Sequence, residues 1–155
     1  MKKTFFFLAI MAFAVLSCKP SAKPEEQRTN GFSDVPKTKQ DSLLKEVMDG
    51  HDVGMAKMSK ITKLLSDIRT QLDSLAKVPK NKVDNSYLLA LTQAQEELNS
   101  AENSMNMWME KFSMDSLEND IPKRIQYLEG EKSTVEAVKK RILESISKAD
   151  SLLKK

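Results

Sequence analysis

The sequence predicts an all-α chain: an antiparallel three-helix bundle in up-down-up order, coiled-coil-like in its packing, preceded by a signal segment and a flexible tether. Three observations carry this. Charged residues make up 30% of the 155 and aromatics 6%, with only 4 Gly and 5 Pro, a balance of helix formers over turn-rich β-structure. Apolar residues recur at three- and four-residue intervals over three long stretches, the spacing of helix faces that pack on one another. The segments joining them are short, which sets consecutive helices antiparallel. The length leaves room for one domain and its flanks.

The first 17 residues read as an address. Lys2-Lys3 precedes an almost unbroken apolar run from Phe5 to Leu16, the basic-then-apolar order of a secretory signal. The run is shorter than the roughly 20 residues a spanning helix needs, and Lys19-Pro20 closes it. Its end, Val15-Leu16-Ser17-Cys18, resembles the lipobox of bacterial lipoproteins. That resemblance implies cleavage before Cys18, the single cysteine of the chain, and a covalent lipid on its sulfur as a membrane anchor. Residues 18–37 hold three of the five prolines and several charges, and read as a flexible tether. Residues 38–155 are left for the bundle.

Removing residues 1–17 takes away two of the 25 basic residues and none of the 22 acidic ones, so the formal charge falls from +3 to +1. Binding of nucleic acid, which needs a clustered phosphate-neutralising face, thereby loses its support in the composition. One Cys and one His exclude disulfide frameworks, cysteine-rich zinc sites and nucleophile–base pairs that need a spare thiol. There is no glycine-rich phosphate loop and no metal-hydrolase helix motif. Asp49, Asp52, Glu110 and Asp115 fit solvated surface charges better than paired catalytic carboxylates. The expectation is a chain that is not an enzyme.

In the first helix, a 3-4 spacing selects Leu44, Val47, His51, Gly54, Met58, Ile61, Leu65, Ile68, Leu72 and Leu75, ending near Lys77 before Pro79. The second runs through Tyr87, Leu91, Ala94, Leu98, Ala101, Met105, Trp108 and Phe112, with Asp84 or Asn85 as its cap. The third stripe is looser, from Ile121, Ile125 and Leu128 to Val135, Val138, Ile142, Ile146, Ala149 and Leu153. Asp120 and a first-turn Pro122 start it, and Gly130 is its weak point. Centring the first turn near position 81 sets Met58 near Met105, Met55 near Met107, Gly54 near Trp108 and His51 near Phe112. Gly54, Trp108 and Phe112 then form one packing layer, in which the missing side chain leaves room for the indole.

The same layer concentrates methionine. Of the 9 Met, seven follow the signal segment, and all seven lie in two segments expected to face each other. His51, Met55 and Met58 share one helix face, and Met105 and Met109 approach from the second helix. Thioether and imidazole suit Cu(I) or Ag(I) better than zinc or calcium. Equally, Met58 and Met105 occupy seam positions, and methionine fills irregular space around a tryptophan. His51 is open to the same division, between a packed histidine bonded to Asp115 or a carbonyl and a metal ligand or pH switch.

VMDGHDVGMAKMSKITKL, LNSAENSMNMWMEKF and YLEGEKSTVEAVKKRILESISKADSLL together resemble the three blocks of a family of small Bacteroidota lipoproteins often labelled "viral A-type inclusion protein". The likeness spans nearly all of the domain and is sharpest at His51-Asp52, Met55, Met58 and Trp108 to Phe112. Gly54 and Ala56 stand where that family would have a larger residue or a proline. The resemblance implies a cell-envelope lipoprotein with no known activity; the absence of an acidic residue between Cys18 and Glu25 adds the expectation of an outer-membrane anchor facing the periplasm, with an envelope protein as possible partner. A fainter likeness ties Met48, His51, Met55 and Met58 to copper-associated His/Met helical domains, without their paired histidines. It implies the alternative function, a periplasmic Cu(I)- or Ag(I)-binding protein using His51, Met55, Met58, Met105 and Met109. Oligomeric state is open at this level.

Overall fold

The computed structural model describes residues 35–154, and every regular element among them is helical. The expected signal segment, Cys18 and all but the last residues of the tether lie outside the described residues. The elements are α1 (Lys39–Met55), α2 (Met58–Leu75), a single 3-10 turn (Lys80–Lys82), α3 (Asn85–Lys111) and α4 (Ile121–Leu153).

Each start has a chemical cause. Thr38 and Asp41 form a reciprocal capping box, each side chain accepting from the other's backbone N–H at 3.2 and 3.1 Å. Asp84 accepts from the N–H groups of Ser86 and Tyr87, at 2.9 and 3.2 Å, and opens α3. Asp120 accepts from the Lys123 N–H at 3.2 Å, and Pro122 fills the first turn of α4. These bonds favour the ionised carboxyl. The backbone N–H of Tyr87, then that of Ser86, hold Asp84 below its ordinary value of 3.8, and the Lys123 side chain, then its backbone N–H, do the same for Asp120. Both contributions are therefore present above pH 3.8 and fade as pH falls through the lowered folded values.

The expected single helix from Leu44 to Lys77 is two helices. At Gly54–Lys57 the backbone tightens: Ala56 N–H still reaches Asp52 O four residues back, but Lys57 N–H bonds Gly54 O three residues back, both at 3.0 Å. Lys60 and Ile61 then donate to Lys57 O and the helix resumes. A glycine inside a helix holds the backbone weakly, and the tight turn follows it directly. The apolar rhythm from Gly54 through Met58 to Ile61 crosses the break undisturbed, so the break is invisible to periodicity.

The main core joins Val47 of α1 and Ile61, Leu64 and Ile68 of α2 to Leu91, Leu98, Met105 and Trp108 of α3 and Val135, Val138 and Ile142 of α4. α4 packs on all three other helices. A smaller cluster of Leu43, Leu44 and Leu128 closes the end near the start of α1, and Phe112 packs against both clusters. Ile121, expected on the buried stripe of the third helix, is 56% exposed, because the stripe begins one turn later. Its first buried residue is Arg124.

Gly54 is buried, but not for the indole expected beside it. A Cβ there would overlap the terminal methyl of Met105 and stand 3.4 Å from Ile142 Cδ1. Met58 is half-buried and packs against the main core, of which Met105 is a member. Gly50, not singled out by the pattern, lies equally close to α4, with Val135 Cγ1 3.0 Å from where its Cβ would be. Gly130, by contrast, is exposed with nothing within 4 Å of an added Cβ, and α4 runs straight through it.

Two substitutions separate these glycines. Gly54→Leu should destabilise the fold by about 3 kcal/mol in chemical denaturation, the upper range for overpacking a filled core. Gly130→Ala should stabilise it by roughly 0.5 to 1 kcal/mol through helix propensity alone.

Candidate functional site

The chemistry-bearing residues gather where the last turns of α1 and α3 meet the first half of α4. Gly50 and Gly54 let the α1 backbone approach its neighbours, and His51, between them in sequence, is pressed onto α3. Its ring centroid lies 5.6 Å from that of Trp108, tilted by 37°. Nδ1 is 2.9 Å from Asp52 Oδ1 and Nε2 is 3.3 Å from Met109 Sδ. The His51 side chain is 19% exposed, so solvent reaches this edge.

From His51 the rings continue as a ladder. Trp108 stacks on Phe112 at 4.8 Å and 16°, and Phe112 lies nearly parallel to Tyr127 of α4 at 6.3 Å. Each polar end of the ladder is tied down. Trp108 Nε1–H donates to Glu131 Oε2 at 2.8 Å, and Tyr127 O–H donates to Ser113 O while accepting from Ser113 N–H at 2.9 Å. Trp108 also borders a groove between α3 and α4 lined by Met107, Lys111, Glu131 and Arg141. Between α1 and α4, Glu46 pairs with Lys132. That hydrogen bond and the carboxylate's charge hold the Lys132 ammonium above its ordinary range.

The residues expected to form a metal cluster divide. His51 and Met109 are in contact. Met105 is fully buried against Gly54, Met58 packs on the main core, and Met55 is exposed at the end of α1. Met107 is exposed, with its sulfur 3.5 Å from Asn103 Nδ2. Two expected neighbours of His51 are replaced: Trp108 and Met109 stand where Phe112 was placed, and Asp52 takes the part assigned to Asp115 or a carbonyl. The offset amounts to about one helical turn, since the tight turn after Gly54 and the 3-10 turn at Lys80–Lys82 both alter the count that a uniform helix pair assumes. Among the described residues no three His, Cys, Asp or Glu side chains are grouped to hold a metal ion.

No protein-family model, curated protein or solved structure matches this chain.

Sequence reasoning passed over Arg124, Tyr127 and Glu131, which hold the site from below. Arg124 is 7% exposed and donates to Ser116 O at 2.7 Å and Met114 O at 2.9 Å, clamping the α3–α4 loop. Within that loop Leu117 sits at φ 60°, a left-handed conformation that costs a side-chain-bearing residue about 1 to 2 kcal/mol. The charge-assisted bonds of Arg124 offset that cost. The signal available was a charged residue one turn before Leu128, on the face where only apolar residues were sought.

Arg124→Leu should destabilise the fold by about 2 to 3 kcal/mol, the range for losing hydrogen bonds to a buried charged group. Hydrogen exchange in residues 113–119 should accelerate more than in α2.

Proposed function

We propose that this protein is a non-enzymatic lipoprotein of the bacterial cell envelope, a membrane-anchored up-down-up three-helix bundle that serves as a structural or interaction module. The observation that carries the reading is the run Val15-Leu16-Ser17-Cys18 at the end of a basic-then-apolar leader, with the chain's single cysteine at the acylation position. Membrane attachment is assigned to a lipid on Cys18, each buried methylene of which is worth about 0.8 kcal/mol. No helix among the described residues is long and apolar enough to cross a membrane.

The order of the bundle draws its support from cross-helix pairs. Lys39 meets Glu129 and Lys60 meets Asp150, each pair 90 residues apart, as two helical arms running in one direction require. Between α3 and α4 the partners run in opposite senses: Trp108 with Glu131, Ser104 with Arg141, Glu97 with Lys148. Most of these contacts lie at the surface, where each stabilises little, so they report geometry more than energy.

Through the lipid on Cys18 the bundle would be tethered to the bilayer. Its faces would then be presented to an envelope partner. The absence of an acidic residue between Cys18 and Glu25 favours the periplasmic face of the outer membrane. The resemblance to the small Bacteroidota lipoproteins supports the assignment to the cell envelope.

Cys18→Ser expressed in a Gram-negative host should abolish incorporation of an alkyne-tagged fatty acid and leave the leader uncleaved, read as a larger mass. Unchanged labelling and mass would refute the anchor.

A further inference from the structure

With a neutral imidazole, the contact between His51 and Met109 is electronically incomplete. Asp52 carboxylate has no hydrogen to give, so in a neutral imidazole bonded to it at 2.9 Å the proton sits on Nδ1. Nε2 then carries a bare lone pair, and 3.3 Å away it faces a thioether sulfur that also has only lone pairs to offer. Two electron-pair donors aimed at each other at this distance are joined by an electrophile, either a proton on Nε2, which makes the ring an imidazolium donating to both Asp52 and Met109, or a metal ion. A carboxylate on the far nitrogen is also how metal-binding histidines are held in orientation and made more basic.

The distance admits a bridging metal ion, and the donors select its class. Ordinary metal–nitrogen and metal–sulfur bonds of about 2.0 and 2.3 Å would join atoms 3.3 Å apart at an angle of about 100°, near that of a trigonal or tetrahedral ion. Imidazole with thioether selects soft monovalent ions over Mg²⁺, Ca²⁺ or Zn²⁺. The Trp108 ring beside His51 adds the attraction of an indole for a cation. Met109 is 37% exposed, so an ion can enter from solvent. Met55, one turn after His51 and equally exposed, can supply a third donor by a change of rotamer.

We propose that His51 Nε2 and Met109 Sδ are the ligands of a site for Cu(I) or Ag(I), completed by Met55 and positioned by Asp52. Met105 and Met58 are outside it, committed to the core. The site goes beyond the anchoring role and does not depend on it.

The chain contains its own reporter, because Trp108 is its single tryptophan. Full-length protein carrying Cys18→Ser, which removes the one competing thiol, would be titrated in detergent with Ag(I) in chloride-free buffer while indole emission is followed. One ion per chain should quench Trp108 with micromolar or tighter affinity. His51→Gln and Met109→Leu should each weaken binding about tenfold or more, Asp52→Ala should weaken it less, and Met114→Leu should leave it unchanged. Met109→Leu replaces an exposed side chain by one of similar volume, so it reports on binding even if a His51 variant folds poorly. No quenching up to tens of micromolar Ag(I), or equal affinity in the Met109→Leu and parent chains, would overturn the site.

Discussion

The constraint on which the rest of the structure depends is the approach of the α1 backbone to its neighbours at Gly50 and Gly54. At one glycine the helix meets the stiff, β-branched Val135 of α4, and at the other the buried end of Met105 on α3. Neither contact leaves room for a further carbon without movement of the partner. The glycines cost helix stability, about 1 kcal/mol each against alanine, and the tight turn after Gly54 is where that weakness shows. In exchange α1 reaches the packing distance at which its intervening residue, His51, lands on the indole of Trp108.

From that landing point the rest of the site follows in a chain of supports. Trp108 is held by Glu131 and by Phe112, Phe112 by Tyr127, and Tyr127 by the backbone of Ser113 at the head of the α3–α4 loop. Arg124 secures the same loop one and three residues further on, at Met114 and Ser116. Phe112 belongs to both hydrophobic clusters, so the ladder also couples the small core around Leu128 to the main one. A polar residue in a bundle seam is ordinarily a local loss. Here both ring nitrogens of His51 have close neighbours, so the anomaly becomes an ordered, partly solvent-facing arrangement.

Much of this was legible in the residues. The all-helical class, the Asp84 and Asp120 caps, the first-turn Pro122 and the seam from Leu91 to Trp108 all follow from local rules, because capping and amphipathic burial act within a turn or two. The concentration of His51, Trp108 and Met109 in one layer was also visible. What failed depended on the register between helices. A pairing counted outward from position 81 assumes straight, uniform helices, and two tight turns shift it, so Gly54 was matched to Trp108 when its neighbour is Met105. Arg124 was missed because apolar periodicity discards charges, although a guanidinium can be buried where unpaired loop carbonyls await it.

The claim that the α1 backbone is seated on Met105 is tested most directly by a double-mutant cycle between Gly54→Leu and Met105→Ala, read by chemical denaturation. The cavity left by Met105→Ala should accept the new leucine, so the double variant should be more stable than the sum of the single losses by more than about 1 kcal/mol. Additivity within about 0.5 kcal/mol would mean that the two residues do not share that space, and would contradict the packing on which the site rests.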